Sequence, residues 1–137
     1  MAKFAAKDYD ITINSVALSD HLVSASLPLE QASEEITAHG DGSRTYTLGL
    51  KDASLDLEFR QNFDASKVDA TLWAIYDGDA AVAFTILPNG ASVGATNPSY
   101  SGSVILTQYD PFGASVGDTA NTSPSLQVTG PVTRATS

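Results

Sequence analysis

His39, Asp41 and Ser43 fall in one segment, Ala38-His39-Gly40-Asp41-Gly42-Ser43, and are the residue types of a base, an acid and a nucleophile. A working triad needs imidazole, carboxylate and hydroxyl in one fixed line of hydrogen bonds. Three residues of a single Gly-rich loop do not easily reach that geometry, so the segment reads as a solvated turn. The other histidine, His21, stands between Asp20 and Leu22 at the start of an apolar run and reads as a surface residue. With two histidines and no cysteine, a zinc site would need both histidines plus carboxylates. Asp77-Gly78-Asp79 and Asp41-Gly42-Ser43 look like fragments of calcium loops, but the further Asp or Asn and the distal Glu are missing. Gly90 and Gly94 precede no Gly-Lys-Ser/Thr and open no helix, so they cradle no phosphate. The expectation is a protein that is not an enzyme and carries no metal or cofactor. Tyr100, Tyr109 and Trp73 keep a carbohydrate-binding alternative open.

Composition narrows the partners. The chain has 137 residues, 16 acidic against 7 basic, for a net charge of −9, and no cysteine. An acidic surface repels phosphate, and Tyr100 and Tyr109 lack the accompanying Lys or Arg that base stacking on a nucleic acid needs. The length suits one domain, residues 1–137, with a single core. Met1 to Asp8 carries charges at both ends of a very short apolar run, unlike a signal peptide. No apolar run approaches the roughly 20 residues of a membrane-spanning helix, so a soluble chain without a membrane partner is expected.

Period-two alternation dominates. Tyr9, Ile11 and Ile13 alternate with Asp10, Thr12 and Asn14, and Leu55, Leu57 and Phe59 alternate with Asp56, Glu58 and Arg60. Further strands are expected over His21 to Leu27, Leu29 to Thr37, Arg44 to Leu50, Ala81 to Leu87, Ser103 to Tyr109 and Leu126 to Thr133. A hairpin is expected around Lys51-Asp52-Ala53-Ser54, and bends at Pro98 to Gly102 and at Pro111 to Gly113. About eight strands at this spacing predict a mainly β fold, an antiparallel sandwich or partial barrel. One helix interrupts them: Val68, Leu72, Ile75 and Tyr76 share a face, with Trp73 at its edge. Asp64 is the expected N-cap, Phe63 the staple on Val68, and Gly78 the C-terminal stop. The Gly-rich segments Ala38 to Ser43 and Pro88 to Ser99 read as long loops.

This order of segments resembles the major tail tube proteins of long, non-contractile-tailed bacteriophages. The resemblance rests on a collinear set covering nearly the whole chain. Gly49-Leu50 to Phe59 precedes the helix, and Leu87-Pro88-Asn89-Gly90 with Ala95 to Gly102 follows it. Tyr109 to Ala120, containing Val116-Gly117-Asp118, comes next, and Val128-Thr129-Gly130 to Arg134 closes the set. It implies a β-sandwich or partial barrel with one flanking helix, similar to the tubes of contractile tails and type VI secretion. It further implies hexameric rings stacked into a virion tail tube that is assembled in the host cytoplasm. An acidic channel would pass DNA without specific binding, and partners would be the tape measure, tail terminator and distal tail proteins. A terminator or head-tail connector ring is the alternative. On this reading Asp56, Glu58 and Arg60, then Glu30, Glu34 and Glu35, are candidates for the lumen. His39, Gly40, Asp41 and Gly42, with Asn89, Gly90, Gly94 and Asn97, are candidates for contacts between subunits.

Overall fold

A computed structural model of the chain describes residues 9–112 and 115–137. The N-terminal reading at Met1 to Asp8 and the turn residue Gly113 lie outside the described residues. The elements are β1 (Asp10–Ile13), β2 (Val16–Ala17), β3 (Leu22–Ser26), β4 (Leu29–Glu35), β5 (Tyr46–Arg60), α1 (Val68–Gly78), β6 (Val82–Leu87), β7 (Ser99–Gln108), β8 (Asn121–Thr122) and β9 (Ser125–Ala135). Every strand pairing is antiparallel, in the order β2-β1-β6-β7-β9-β5-β3, with β4 and β8 also paired to β5. β1 and β5 are far apart in that order, yet Ile11, Ile13, Leu55, Leu57 and Phe59 share one buried cluster. The open sheet therefore wraps around its own core, and α1 packs against it. This is the mainly β fold with one helix that the alternation predicts.

Cross-strand rows explain the wrapping. Val82, Val104 and Val128 stand opposite one another on β6, β7 and β9, and Leu106, Leu126 and Leu55 do so on β7, β9 and β5. Such apolar rows give each register its preference, because a one-residue slip would turn them to water.

Several expectations are corrected. Arg44 to Leu50 and Leu55 to Gln61 are one strand, β5, without a hairpin at Lys51-Asp52-Ala53-Ser54, because the strand changes partners there: Tyr46 to Ala53 pair with β4, and Ser54 to Arg60 pair with β3, β8 and β9. Gly102 does not bend the chain after Pro98; it lies inside β7, where an added Cβ would sit 3.1 Å from Phe84 Cε1 and 3.2 Å from the Pro131 carbonyl oxygen. The irregularity belongs to β9, where Gly130, at φ +85°, begins a bulge opposite Ser101 and Ser103.

The helix starts later than its expected cap. Lys67 N–H donates to Asp64 O at 3.3 Å, closing a turn in which Ser66 is left-handed, and the helix begins only at Val68, with Lys67 at the N-cap position. Phe63 does not staple Val68; it stacks on Phe112 at 5.8 Å between centroids. Asp79, at φ +51°, takes the left-handed place expected for Gly78. Val68, Thr71, Leu72 and Ile75 face the core, whereas Trp73 and Tyr76 stay exposed.

Candidate functional site

β4 and the first half of β5 form a two-stranded arm. Residues Leu29 to Glu35 and Tyr46 to Asp52 are all exposed, in a register running from Leu29 opposite Ala53 to Glu35 opposite Tyr46. Among the described residues no further strand pairs with either edge of this ribbon, and a two-stranded ribbon is marginal on its own in water. Its surface is nevertheless apolar in places: Leu48 is 69% and Leu50 is 87% exposed, with Leu29, Ile36 and Tyr46 also outside. The root is clamped to the sheet by Gln127, whose Nε2 donates to Asp52 Oδ1 at 2.8 Å and to Ala53 O at 2.7 Å.

The tip holds His39, Gly40, Asp41 and Gly42, all exposed. Ala38 N–H donates to Asp41 Oδ2 at 2.7 Å and Asp41 N–H returns to Ala38 O at 3.1 Å, so Asp41 closes a turn rather than orienting an imidazole. Gly40 is at φ +99°, which a side chain would resist. Glu30 stands opposite Asp52 and Glu34 opposite Thr47, while Glu35 meets Arg44 at 3.7 Å. These three carboxylates are on the arm, and Asp56, Glu58 and Arg60 are on the inner half of β5. The structure does not bring the six together.

The face of the sheet turned away from the core is rich in hydroxyls. Thr12, Thr85, Ser101 and Thr133 make one row across β1, β6, β7 and β9. Ser103 lies opposite Thr129, and Asp56 stands between Ser26 and Ser125. Glu58 faces Ser24, and Arg60 Nη1 donates to Asn121 Oδ1 at 3.0 Å. Charge is therefore sparse on this face and hydrogen-bonding capacity dense. Sequence reasoning found the carboxylates and missed the hydroxyl rows, whose signal was Ser or Thr recurring at the wet positions of successive strands.

The loop Pro88 to Pro98 is built around Asn97, which is 5% exposed. Its Nδ2 donates to Ala91 O at 3.0 Å and Ser92 O at 3.2 Å, and its Oδ1 accepts Asn89 N–H at 3.2 Å. The backbones of Gly94 and Asn97 bond each other in both directions. The Asn97 amide points inward and shapes the loop, because a buried amide must find partners. Asn89 Oδ1 accepts Ala91 N–H at 2.8 Å, and Gly90 is exposed at the crest.

At the other end of the sheet Tyr109 ties α1 down. Its hydroxyl donates to Asp69 Oδ1 at 2.7 Å and accepts from Gln61 Nε2 at 3.1 Å. Burial, reinforced by the bond to Asp69, pushes the phenol up to about 12. Tyr109 is thus committed within the fold, and Tyr100 accepts Arg134 Nε at 3.2 Å. Of the three aromatics that kept a sugar site open, Trp73 remains outside, beside Tyr76. Among the described residues no group of three or more His, Asp or Glu side chains could hold a metal ion. No helix among them is long and apolar enough to cross a membrane.

No protein-family model and no curated protein matches the sequence. Solved structures do match. A chain of the native gene transfer agent virion superposes with a TM-score of 0.77 at 13% identity, covering 97% of this chain and 99% of that one. The SPP1 tail tube gives 0.77 at 14% identity, covering 98% of this chain and 80% of that one. The terminating cap of the anti-feeding prophage tube gives 0.74 at 15% identity, covering 100% and 93%. A further match, at a TM-score of 0.66, is the tail of the empty gene transfer agent particle, which has C6 symmetry. The chain has the tail tube fold.

Proposed function

We propose that this chain is a structural subunit of a phage tail tube, closing with five more copies into a ring that stacks on identical rings. The observation that carries the reading is the arm. An exposed ribbon with two open edges and with Leu48 and Leu50 in water is a poor design for a solitary domain, and a good one for reaching a neighbouring copy. Sixfold closure is supported by the symmetry of the gene transfer agent tail, whose subunit shares the fold. Loops such as Asn89 to Gly94, held in one shape by Asn97, would add contacts between copies. The hydroxyl-rich face would line the channel, where Asp56 and Glu58 repel phosphate and the hydroxyls keep water at the wall, so that DNA passes without specific binding. The place of action is the virion tail, with tape measure, terminator and distal tail proteins as neighbours, and the role is structural rather than catalytic.

A second reading is a ring that caps a tube without polymerising, favoured by the likeness to the anti-feeding prophage cap. Negative-stain microscopy of the purified chain separates the two. Long tubes are expected from the parent, and rings or single subunits from Leu48→Ser/Leu50→Ser. Isolated rings from the parent would assign it to the cap. Small particles alone would return it to the carbohydrate-binding reading.

A further inference from the structure

Helix α1 turns one side outward, uncovered by the other described residues. Its outer side carries Ala70, Trp73, Ala74, Tyr76 and Asp77, all exposed. Trp73 and Tyr76 are each 54% exposed, their ring centroids 5.6 Å apart and their planes tilted by 34°. The flanking alanines keep the approach to the rings open. Aromatic pairs of this kind anchor interfaces, because they bring a large apolar area with little side-chain entropy to lose.

The end of the same helix adds a sign. Asp77 and Asp79 sit at its C-terminus, and no basic residue lies in the last turn. Acids there oppose the helix dipole, an arrangement that costs stability unless a cation is brought to it. Asp69 is occupied by Tyr109, but no Lys or Arg among the described residues pairs with Asp77 or Asp79. Two independent features thus ask for the same thing: the tryptophan face favours a cation above it, and the two carboxylates favour one beside it.

We infer that this helix face docks an extended Lys- or Arg-bearing segment of a different polypeptide. Charge complementarity selects the occupant. A second copy brings another −9, with 16 acidic against 7 basic residues, and is the less suited occupant. The inference stands apart from the tube assignment, since it needs only the folded helix.

Trp73 is the chain's one tryptophan, so its emission reports directly on this face. The full chain is titrated with a short poly-L-lysine. A saturable change in Trp73 emission is expected, with the apparent affinity falling about tenfold in Asp77→Asn/Asp79→Asn. Glu34→Gln/Glu35→Gln removes the same charge from the arm and should leave the affinity nearly unchanged. The helix variant relieves the dipole conflict, so it should fold at least as well as the parent. Equal losses in both variants, or emission that does not respond, would overturn the proposal. So would an emission shift when the chain polymerises alone, because a second copy would then cover the face.

Discussion

The Tyr109 hydroxyl donates to Asp69 Oδ1 at 2.7 Å, joining the residue just past the end of β7 to the first turn of α1 across 40 positions of sequence. Asp69 cannot accept this bond if Tyr109 loses its proton. The phenol is raised from 10.0 to about 12, so the folded state favours the neutral form. Its contribution is fully present below pH 10 and is lost as pH rises from there towards 12. Tyr109→Phe should lower stability near neutral pH by roughly 1 to 3 kcal/mol, and its urea midpoint should then fall less than the parent's between pH 9 and pH 11. Parallel falls would exonerate the phenol.

Thr71 Oγ1 is buried on the core face of the same helix and has no hydrogen-bond partner. An unmet hydroxyl costs its desolvation, and valine has nearly the same shape. Thr71→Val is therefore expected to raise stability by about 1 kcal/mol, seen as a higher thermal midpoint. A lower midpoint would mean that the hydroxyl has a partner in solution.

The helix also separates core from surface sharply. Leu72 is fully buried and Leu72→Ala should cost about 2 to 5 kcal/mol. Trp73, its neighbour, is half in water, so Trp73→Phe should change the unfolding free energy by about 0.5 kcal/mol or less. Comparable losses from both would place Trp73 in the core after all.

How much of this was legible depends on where the information resides. Val68, Leu72 and Ile75 follow from a spacing within one helix, and the Leu55, Leu57 and Phe59 alternation follows from one strand. Tyr76, at i+8 from Val68, drifts to the flank of the stripe, and periodicity alone does not say how wide the covered stripe is. The arm was hidden because Lys51-Asp52-Ala53-Ser54 has the polarity of a turn, and only the partners Glu30, Gln31 and Gln127 make it a strand that crosses from one pairing to another. The hydroxyl rows were hidden for the same reason. Thr12, Thr85, Ser101 and Thr133 are scattered in sequence and meet only through sheet order.

Gly102 illustrates tertiary information written as a local signal. Its type suggested a bend, whereas the position is set by the Phe84 ring and the Pro131 carbonyl lying 3.1 and 3.2 Å from where a Cβ would be. Gly102→Ala should cost about 1 to 3 kcal/mol by overpacking. Gly42→Ala, with nothing within 4 Å of its Cβ position, should be nearly neutral. Equal thermal midpoints for the two variants would show that β7 and β9 can separate to admit the methyl.

Asp56 and Glu58 offer the most direct test of the channel. Both project from the face opposite Leu55, Leu57 and Phe59, and their cross-strand neighbours Ser26, Ser125 and Ser24 are uncharged, so neither carboxylate holds the fold together. Replacing both by Lys should shift stability by about 0.5 kcal/mol or less. Each substitution changes the charge by +2, giving +4 per subunit. Because this face carries so few charges, the pair decides its sign. In a six-membered ring the wall would change from weakly repelling to attracting the phosphates that pass within the screening length of ~8 Å at physiological salt. Tubes or virions built from Asp56→Lys/Glu58→Lys should assemble normally and eject DNA slowly, with the delay relieved by added salt. Ejection indistinguishable from the parent would put this face on the outside of the tube and leave the lumen to another surface, with Glu30, Glu34 and Glu35 on the arm as the next residues to change.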